Sequence, residues 1–219
     1  MNDNLLPIIL LSLQVSALAT LCGTILGIPL GTVIGLFTFP GRNLTMAFLY
    51  TLMGFPTVLI GVIVYLLLSR YGPLGNLELL FTPYAMVIAQ TLLTTPVIAG
   101  LTMSAVYMKE KSLAETAQSL GATRMQTVAV IIKESKRGIW TGIATAFGRA
   151  ISEVGAVMLV GGNIQGSTRV MTTAIILETR QGNMTNALVL GLVLLLVTFV
   201  SQVFLMIGMI ATFQKNKTG

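Results

Sequence analysis

Two oppositely charged residues sit where charges are rare. In the stretch GRAISEVGA, residues 148–156, Arg149 and Glu153 stand four apart inside an apolar run, with Ser152 beside Glu153. On a helix this spacing puts both side chains on one face, within reach of an ion pair. An unpaired charge in hydrocarbon costs several kcal/mol, so these two residues need a purpose. One purpose is an internal salt bridge that fixes this helix against its neighbours. The other is a cationic contact for an anion, in which Glu153 holds Arg149 in place and moderates its grip. An unopposed arginine would trap a dianion, whereas a neutralised one would release it. Other chemistry lacks its residues. The chain has no histidine, which removes imidazole acid–base catalysis, imidazole proton relays and most zinc sites. There is no G-x-S-x-G turn for a nucleophilic serine. There is also no G-x-x-x-x-G-K-[ST] loop to cradle a nucleotide phosphate. A lone Cys22 precludes a disulfide within the chain.

The elements that carry these residues follow from composition. Of 219 residues, 54% are hydrophobic and 9% charged, against about 25% charged in a soluble domain, and the mean hydropathy is +0.88. This describes an all-α membrane protein. Five segments reach the roughly 20 apolar residues needed to cross a bilayer: Ile8 to Phe37, Leu44 to Leu68, Pro83 to Tyr107, Gly138 to Val160 and Asn186 to Phe213. The amino end, MNDNLLPIILLSLQV, lacks the basic n-region of a signal peptide and is expected to stay as a span. With the amino end outside and the carboxyl end inside, nine basic residues fall on the inner side: Arg42, Lys109, Lys111, Arg124, Lys133, Lys136, Arg137, Lys215 and Lys217. Only Arg70, Arg169 and Arg180 fall outside, a clear positive-inside bias. The formal charge of +6 therefore reports topology, not nucleic-acid binding.

Small residues and prolines mark the spans. Gly23, Gly27, Gly31 and Gly35 share one face of the first span and would let another backbone approach closely, in this chain or in a second copy. Pro29, Pro56 and Pro96 are expected to interrupt three spans and free backbone carbonyls. Broken helices often line transport cavities. After the fourth span, VGGNIQGSTR supplies Gly161, Gly162 and Gly166, expected to make a mobile outer turn, with the neutral amides of Asn163 and Gln165.

The segment from 109 to 137, KEKSLAETAQSLGATRMQTVAVIIKESKR, concentrates charge between two spans. It contains two capping boxes, Ser112 with Glu115 and Thr123 with Gln126, separated by Gly121, a residue suited to end a helix. The reading is helix, glycine turn, helix, wholly outside the bilayer. A helix lying on the anionic inner leaflet would favour bulky residues. The first helix instead shows Ala114, Ala117 and Ser119, which suit insertion into a protein groove.

This segment resembles the EAA loop of ABC importer permeases, whose pattern is Glu-x-Ala, three residues, Gly, nine residues, Ile-x-Leu-Pro. Glu115, Ala117, Gly121 and Ile131 match that spacing, while Thr116 departs at the middle of the triplet and Lys133 and Glu134 replace Leu-Pro. GFPTVLIGVIVYLLLSRYGPLG and FGRAISEVGAVMLVGGNIQGSTRVMTTAI follow the order seen in permeases for sulfate, molybdate and tungstate, and the chain is most similar to the tungstate type.

The resemblance implies a type I ABC importer permease fold forming one domain over residues 1–219, set in a prokaryotic cell membrane. It implies a homodimer, two separate cytoplasmic ATPase subunits that hold ATP and magnesium, and an external substrate-binding protein; the chain itself would carry no cofactor and no catalysis. Glu115, Ala117, Ser119, Gly121 and Arg124 would couple to the ATPase. Pro56, Pro96, Arg149, Ser152, Glu153, Gly162 and Asn163 would line or gate the path. A dianion entering a cell that is negative inside meets about 2.3 kcal/mol per charge per 100 mV, roughly 4.6 in all, so an energy source is required. Molybdate and sulfate are alternative cargoes. An ion-coupled secondary transporter would also use broken helices and buried charges, but should show inverted repeats, and none is evident.

Overall fold

A computed structural model gives the fold and describes residues 5–214; Lys215 and Lys217, counted above on the inner side, lie outside the described residues. The elements are α1 (Leu5–Leu36), α2 (Arg42–Met53), α3 (Thr57–Leu68), a short 3-10 turn (Gly75–Leu77), α4 (Pro83–Ser119), α5 (Arg124–Ile151), α6 (Gly155–Gly161), α7 (Met171–Arg180) and α8 (Met184–Gln214). Three helices, α1, α4 and α8, are long and apolar enough to cross a membrane alone. Two bent pairs, α2 with α3 at 94° and α5 with α6 at 57°, pass the same test together among the described residues, for five crossings if each pair is one span.

Local chemistry explains one break better than the other. Between α2 and α3 lies Gly54-Phe55-Pro56. Proline disfavours a helical conformation at Phe55, and Pro56, at φ −60°, stands as the residue from which α3 starts. Between α5 and α6 there is neither glycine nor proline. The Ser152 hydroxyl instead donates back to Gly148 O at 2.8 Å and to Arg149 O at 3.2 Å, an alternative to continuing the helix. The other two prolines break nothing. Pro29 lies inside α1 and Pro96 inside α4, and both helices run on.

The glycine face of α1 finds its partner within the chain. All four glycines are buried, and α4 lies directly against them. A Cβ on Gly27 would come 2.9 Å from both Ile98 Cβ and Thr95 O, and one on Gly31 would come 2.8 Å from Thr102 Cβ. Gly23 meets Thr94 and Gly35 meets Val106 in the same way. The absence of side chains lets the two backbones approach, and Thr94 Oγ1 then donates across to Ala19 O at 3.2 Å.

A buried cluster of Val64, Met86, Leu93, Val157 and Val160 joins α3, α4 and α6. A smaller one, Ile34, Leu49, Ala99 and Met103, seats α2 between α1 and α4. Arg42 fixes the start of α2: its Nε donates to Ile34 O at 2.9 Å and its Nη2 to Gly35 O at 2.5 Å, while its guanidinium lies 5.2 Å from the centre of the Tyr107 ring. Helix α4 is thus the element on which α1, α2, α3 and α6 all rest.

This arrangement makes Gly31 and Gly191 opposite cases. A methyl at Gly31 meets backbone and the Thr102 side chain, whereas one at Gly191 meets nothing within 4 Å. Overpacking of this kind costs about 1–3 kcal/mol. Gly31→Ala should therefore lower the thermal midpoint of the purified protein in detergent, and Gly191→Ala should leave it unchanged or raise it slightly; equal midpoints would contradict the α1–α4 packing.

Candidate functional site

The two breaks lie side by side, and charged side chains finish their loose ends. The last carbonyls of a helix have no partner within it. Met53 ends α2 and Phe55 lies in the bend; their carbonyl oxygens accept from the Arg149 guanidinium, Met53 O from Nη1 and Phe55 O from Nη2 at 3.5 Å. A cation at a helix C-terminus is also favoured by the helix dipole. Glu153 does the reverse job. It is buried, and its Oε1 accepts from Ala156 N at 3.0 Å, one of the free N–H groups in the first turn of α6.

The ion pair read from the four-residue spacing is therefore not formed. Helix α5 stops at Ile151, so Arg149 and Glu153 do not share a helix, and each caps a different helix end. Two residues absent from the sequence reading complete the break. Gln90 of α4, buried, donates Nε2 to Ala150 O at 2.9 Å, and Thr172 of α7 donates to Glu153 O at 2.9 Å. A lone amide in an apolar span was the available signal for Gln90. Beyond the breaks, α3 and α6 press together: a Cβ on Gly61 would lie 2.7 Å from Ala156 Cα, and one on Gly155 would lie 2.8 Å from Val58 Cγ2. Gly54, Pro56 and Ser152 remain exposed at the bends, with Arg149 partly covered.

Pro56, Arg149, Ser152 and Glu153 thus come together. Pro96 is buried within α4, the helix against which both breaks lean. Gly162 and Asn163 sit at the far end of α6, about 10 Å along its axis. The turn there, expected to be mobile, is tied down. Gly162 and Asn163 are both left-handed, at φ 71° and 52°. Thr168, fully buried, donates its hydroxyl to Gly161 O and accepts from Ile164 N at 3.0 Å. Ile164 O accepts from the amides of Ser167, Thr168 and Arg169. Phe81, itself at φ 62°, donates its amide to Val160 O at 2.9 Å, and its ring stands 2.8 Å from where a Gly162 Cβ would be. Three glycines in six residues suggested freedom, but they serve tight geometry.

At the opposite end, the charged segment forms one turn between two long helices. Ser112 is not a cap. It lies within α4, where its carbonyl accepts from Thr116 Oγ1 at 2.9 Å. No glycine or proline separates Tyr107 from Ser112, so the span simply continues through Ser119. Helix α4 then ends with Ala122 N bonded to Ala117 O at 3.0 Å around Gly121 at φ +79°. Helix α5 starts with the Thr123–Gln126 box in place: Thr123 N donates to Gln126 Oε1 at 2.8 Å, and Gln126 N to Thr123 Oγ1 at 3.4 Å. Glu115, Ser119, Gly121 and Arg124 are exposed at this tip, and Ala117 is partly covered. Leu120 and Met125, 83% and 78% exposed, flank Gly121 as apolar contacts that charge patterning passed over. The hairpin is tied at its base, where Lys109 Nζ donates to Glu134 O at 2.7 Å and Ser135 Oγ to Ala105 O at 3.1 Å.

Residues 27–213 match the family model described as the binding-protein-dependent transport system inner membrane component. The chain is 45% identical over 192 residues to the tungstate uptake system permease protein TupB of Peptoclostridium acidaminophilum, covering 88% of this chain and 84% of that protein. It is 42% identical to a probable anion ABC transporter permease protein of Haloferax volcanii, covering 87% and 84%. Likeness to a probable sulfate transport system permease protein of Nephroselmis olivacea is lower, 28% over 85% and 68%.

The geometry of the outer turn gives its own test. Thr168→Val keeps the volume and removes both hydroxyl bonds, leaving Gly161 O and Ile164 N unpartnered at a cost of about 1–3 kcal/mol. Amide exchange at residues 164–169 should rise sharply while exchange in α4 stays slow; unchanged protection of the turn would show that it is free of the hydroxyl.

Proposed function

We propose, since the chain belongs to the binding-protein-dependent transport system inner membrane component family, that it is the permease subunit of an ATP-driven importer for tungstate or a closely related oxyanion. The observation that carries the cargo is the 45% identity to a tungstate uptake permease over 88% of this chain, against 28% to a sulfate one. A second tungstate uptake permease, from Campylobacter jejuni, is 36% identical over 74% of this chain and 68% of its own.

The whole chain serves as one permease domain, works as a pair of copies, and leaves ATP and magnesium to two ATPase subunits on the cytoplasmic side. The excess of Lys and Arg at 109–137 supports placing this turn in the cytoplasm and the amino end outside. An external binding protein delivers the anion to the side where the outer turn, with Gly162 and Asn163, is held in one shape. ATP-driven closure of the motors draws the two 119–124 turns together and opens the cavity outward; hydrolysis and release return it inward. Glu115, Ala117, Ser119, Gly121 and Arg124 dock the motor. Their exposure at the end of a hairpin tied at its base suits a part that is pushed from outside. The path runs past the bends at Pro56 and Ser152, with Pro96 in the helix behind them, and selectivity rests chiefly with the binding protein.

Two measurements test this reading. Titration of the cognate binding protein with tungstate, molybdate and sulfate should give tightest binding for tungstate; a clear sulfate preference would refute the cargo. At the tip, proline cannot adopt φ +79°. Gly121→Pro should abolish co-purification of the ATPase while membrane insertion persists, and Gly121→Ala, strained by about 1–2 kcal/mol, should weaken it. Normal association of the proline variant would remove the turn from the docking surface.

A further inference from the structure

We propose that Arg149 is a positioning residue for transport, the tie through which movement of the cytoplasmic turn reaches the outer halves of the two broken spans. The proposal rests on the importer reading above and adds how force crosses the membrane.

Helix α5 is one uninterrupted rod from the Thr123 cap to Ile151, placing Arg149 about 38 Å from the tip at 1.5 Å per residue. It does not slide alone. Ser135 bonds Ala105 near the base, a Cβ on Gly142 would stand 3.1 Å from Leu101 Cβ in the middle, and Gln90 bonds Ala150 near the top. A push at Gly121 therefore moves α4 and α5 together and arrives at the last turn of α5. There the chain bends, and the covalent route onward to α6 turns by 57° at residues 152–154. Arg149 offers a second route. Its two nitrogens hold Met53 O and Phe55 O, one on each side of Gly54, so the guanidinium spans the α2–α3 elbow. Because α3 and α6 touch at Gly61, Ala156, Gly155 and Val58, setting the angle of that elbow carries both outer halves at once.

The side-chain chemistry fits a tie better than an anion contact. A planar fork joins two acceptors at fixed separation, which an ammonium on a single carbon does not. The positive charge faces the carbonyl end of α2, while Glu153 is engaged with α6. An anion contact would depend on charge; a tie depends on the fork.

Arg149→Lys separates these, because lysine keeps charge and reach but loses the fork. The assembled complex of permease, ATPase and binding protein, in proteoliposomes, gives ATP hydrolysis and oxyanion uptake in one preparation. For Arg149→Lys, uptake per ATP should fall at least tenfold, with the half-saturating concentration of loaded binding protein within about twofold of wild type. Arg149→Ala should behave alike; if it fails to assemble, the lysine variant decides alone. Wild-type coupling in Arg149→Lys, or a raised half-saturation with coupling intact, would overturn the tie. The ratios are taken with whichever of tungstate, molybdate and sulfate the wild type carries, so a sulfate result would sink the cargo reading and leave the Arg149 comparison standing.

Discussion

The fold depends on one constraint: a backbone carbonyl or amide in hydrocarbon must find a partner inside the protein. Between its ends an unbroken helix such as α8 meets it without help. A bent pair of helices does not, and the described residues hold two such pairs. Around them side chains supply the missing bonds: Arg149 at the end of α2, Gln90 at the end of α5, Glu153 at the start of α6, and Ser152 and Thr172 between. Arg42 does the same for the end of α1. Several of the polar side chains in this apolar chain are thus accounted for by backbone groups at helix ends.

The family's name suggests motion, and the distribution of these bonds indicates where motion is cheap. Helices α1, α4 and α5 are joined along their lengths by missing side chains and by hydrogen bonds between them. Helices α3 and α6 are joined to each other. The bends between these two groups are held by a handful of side-chain contacts, those of Arg149, Glu153 and Gln90 among them. A change of angle at the bends leaves the packed slabs intact.

Much of this was legible in residue types. The five apolar segments read from composition fall on three long helices and two bent pairs, and Pro56 marked one bend. The Thr123–Gln126 box and Gly121 located the charged turn. Other features were hidden because they arise from tertiary contact. Arg149 and Glu153 looked paired only if the helix continued, and nothing in the letters Ser152-Glu153-Val154 announces a stop. Ser112 carried a capping signature without a break before it, so α4 ran through it. Glycine was ambiguous in both directions: the four of α1 answered to α4 rather than to a second copy, and those of the outer turn gave rigidity. Helix α7 escaped notice because its ten residues are neither long nor apolar enough to stand out.

The glycine seam between α1 and α4 also bears on how the protein is made. Helix α1 precedes α4 in synthesis and is the more apolar of the two. Helix α4 follows some fifty residues later and is the least apolar of the three single crossings, with Gln90, Thr94 and Thr102 buried along it. Those polar groups are covered where α4 packs on its neighbours, α1 among them. The seam thus offers α1 as a ready-made surface for the less apolar helix made after it.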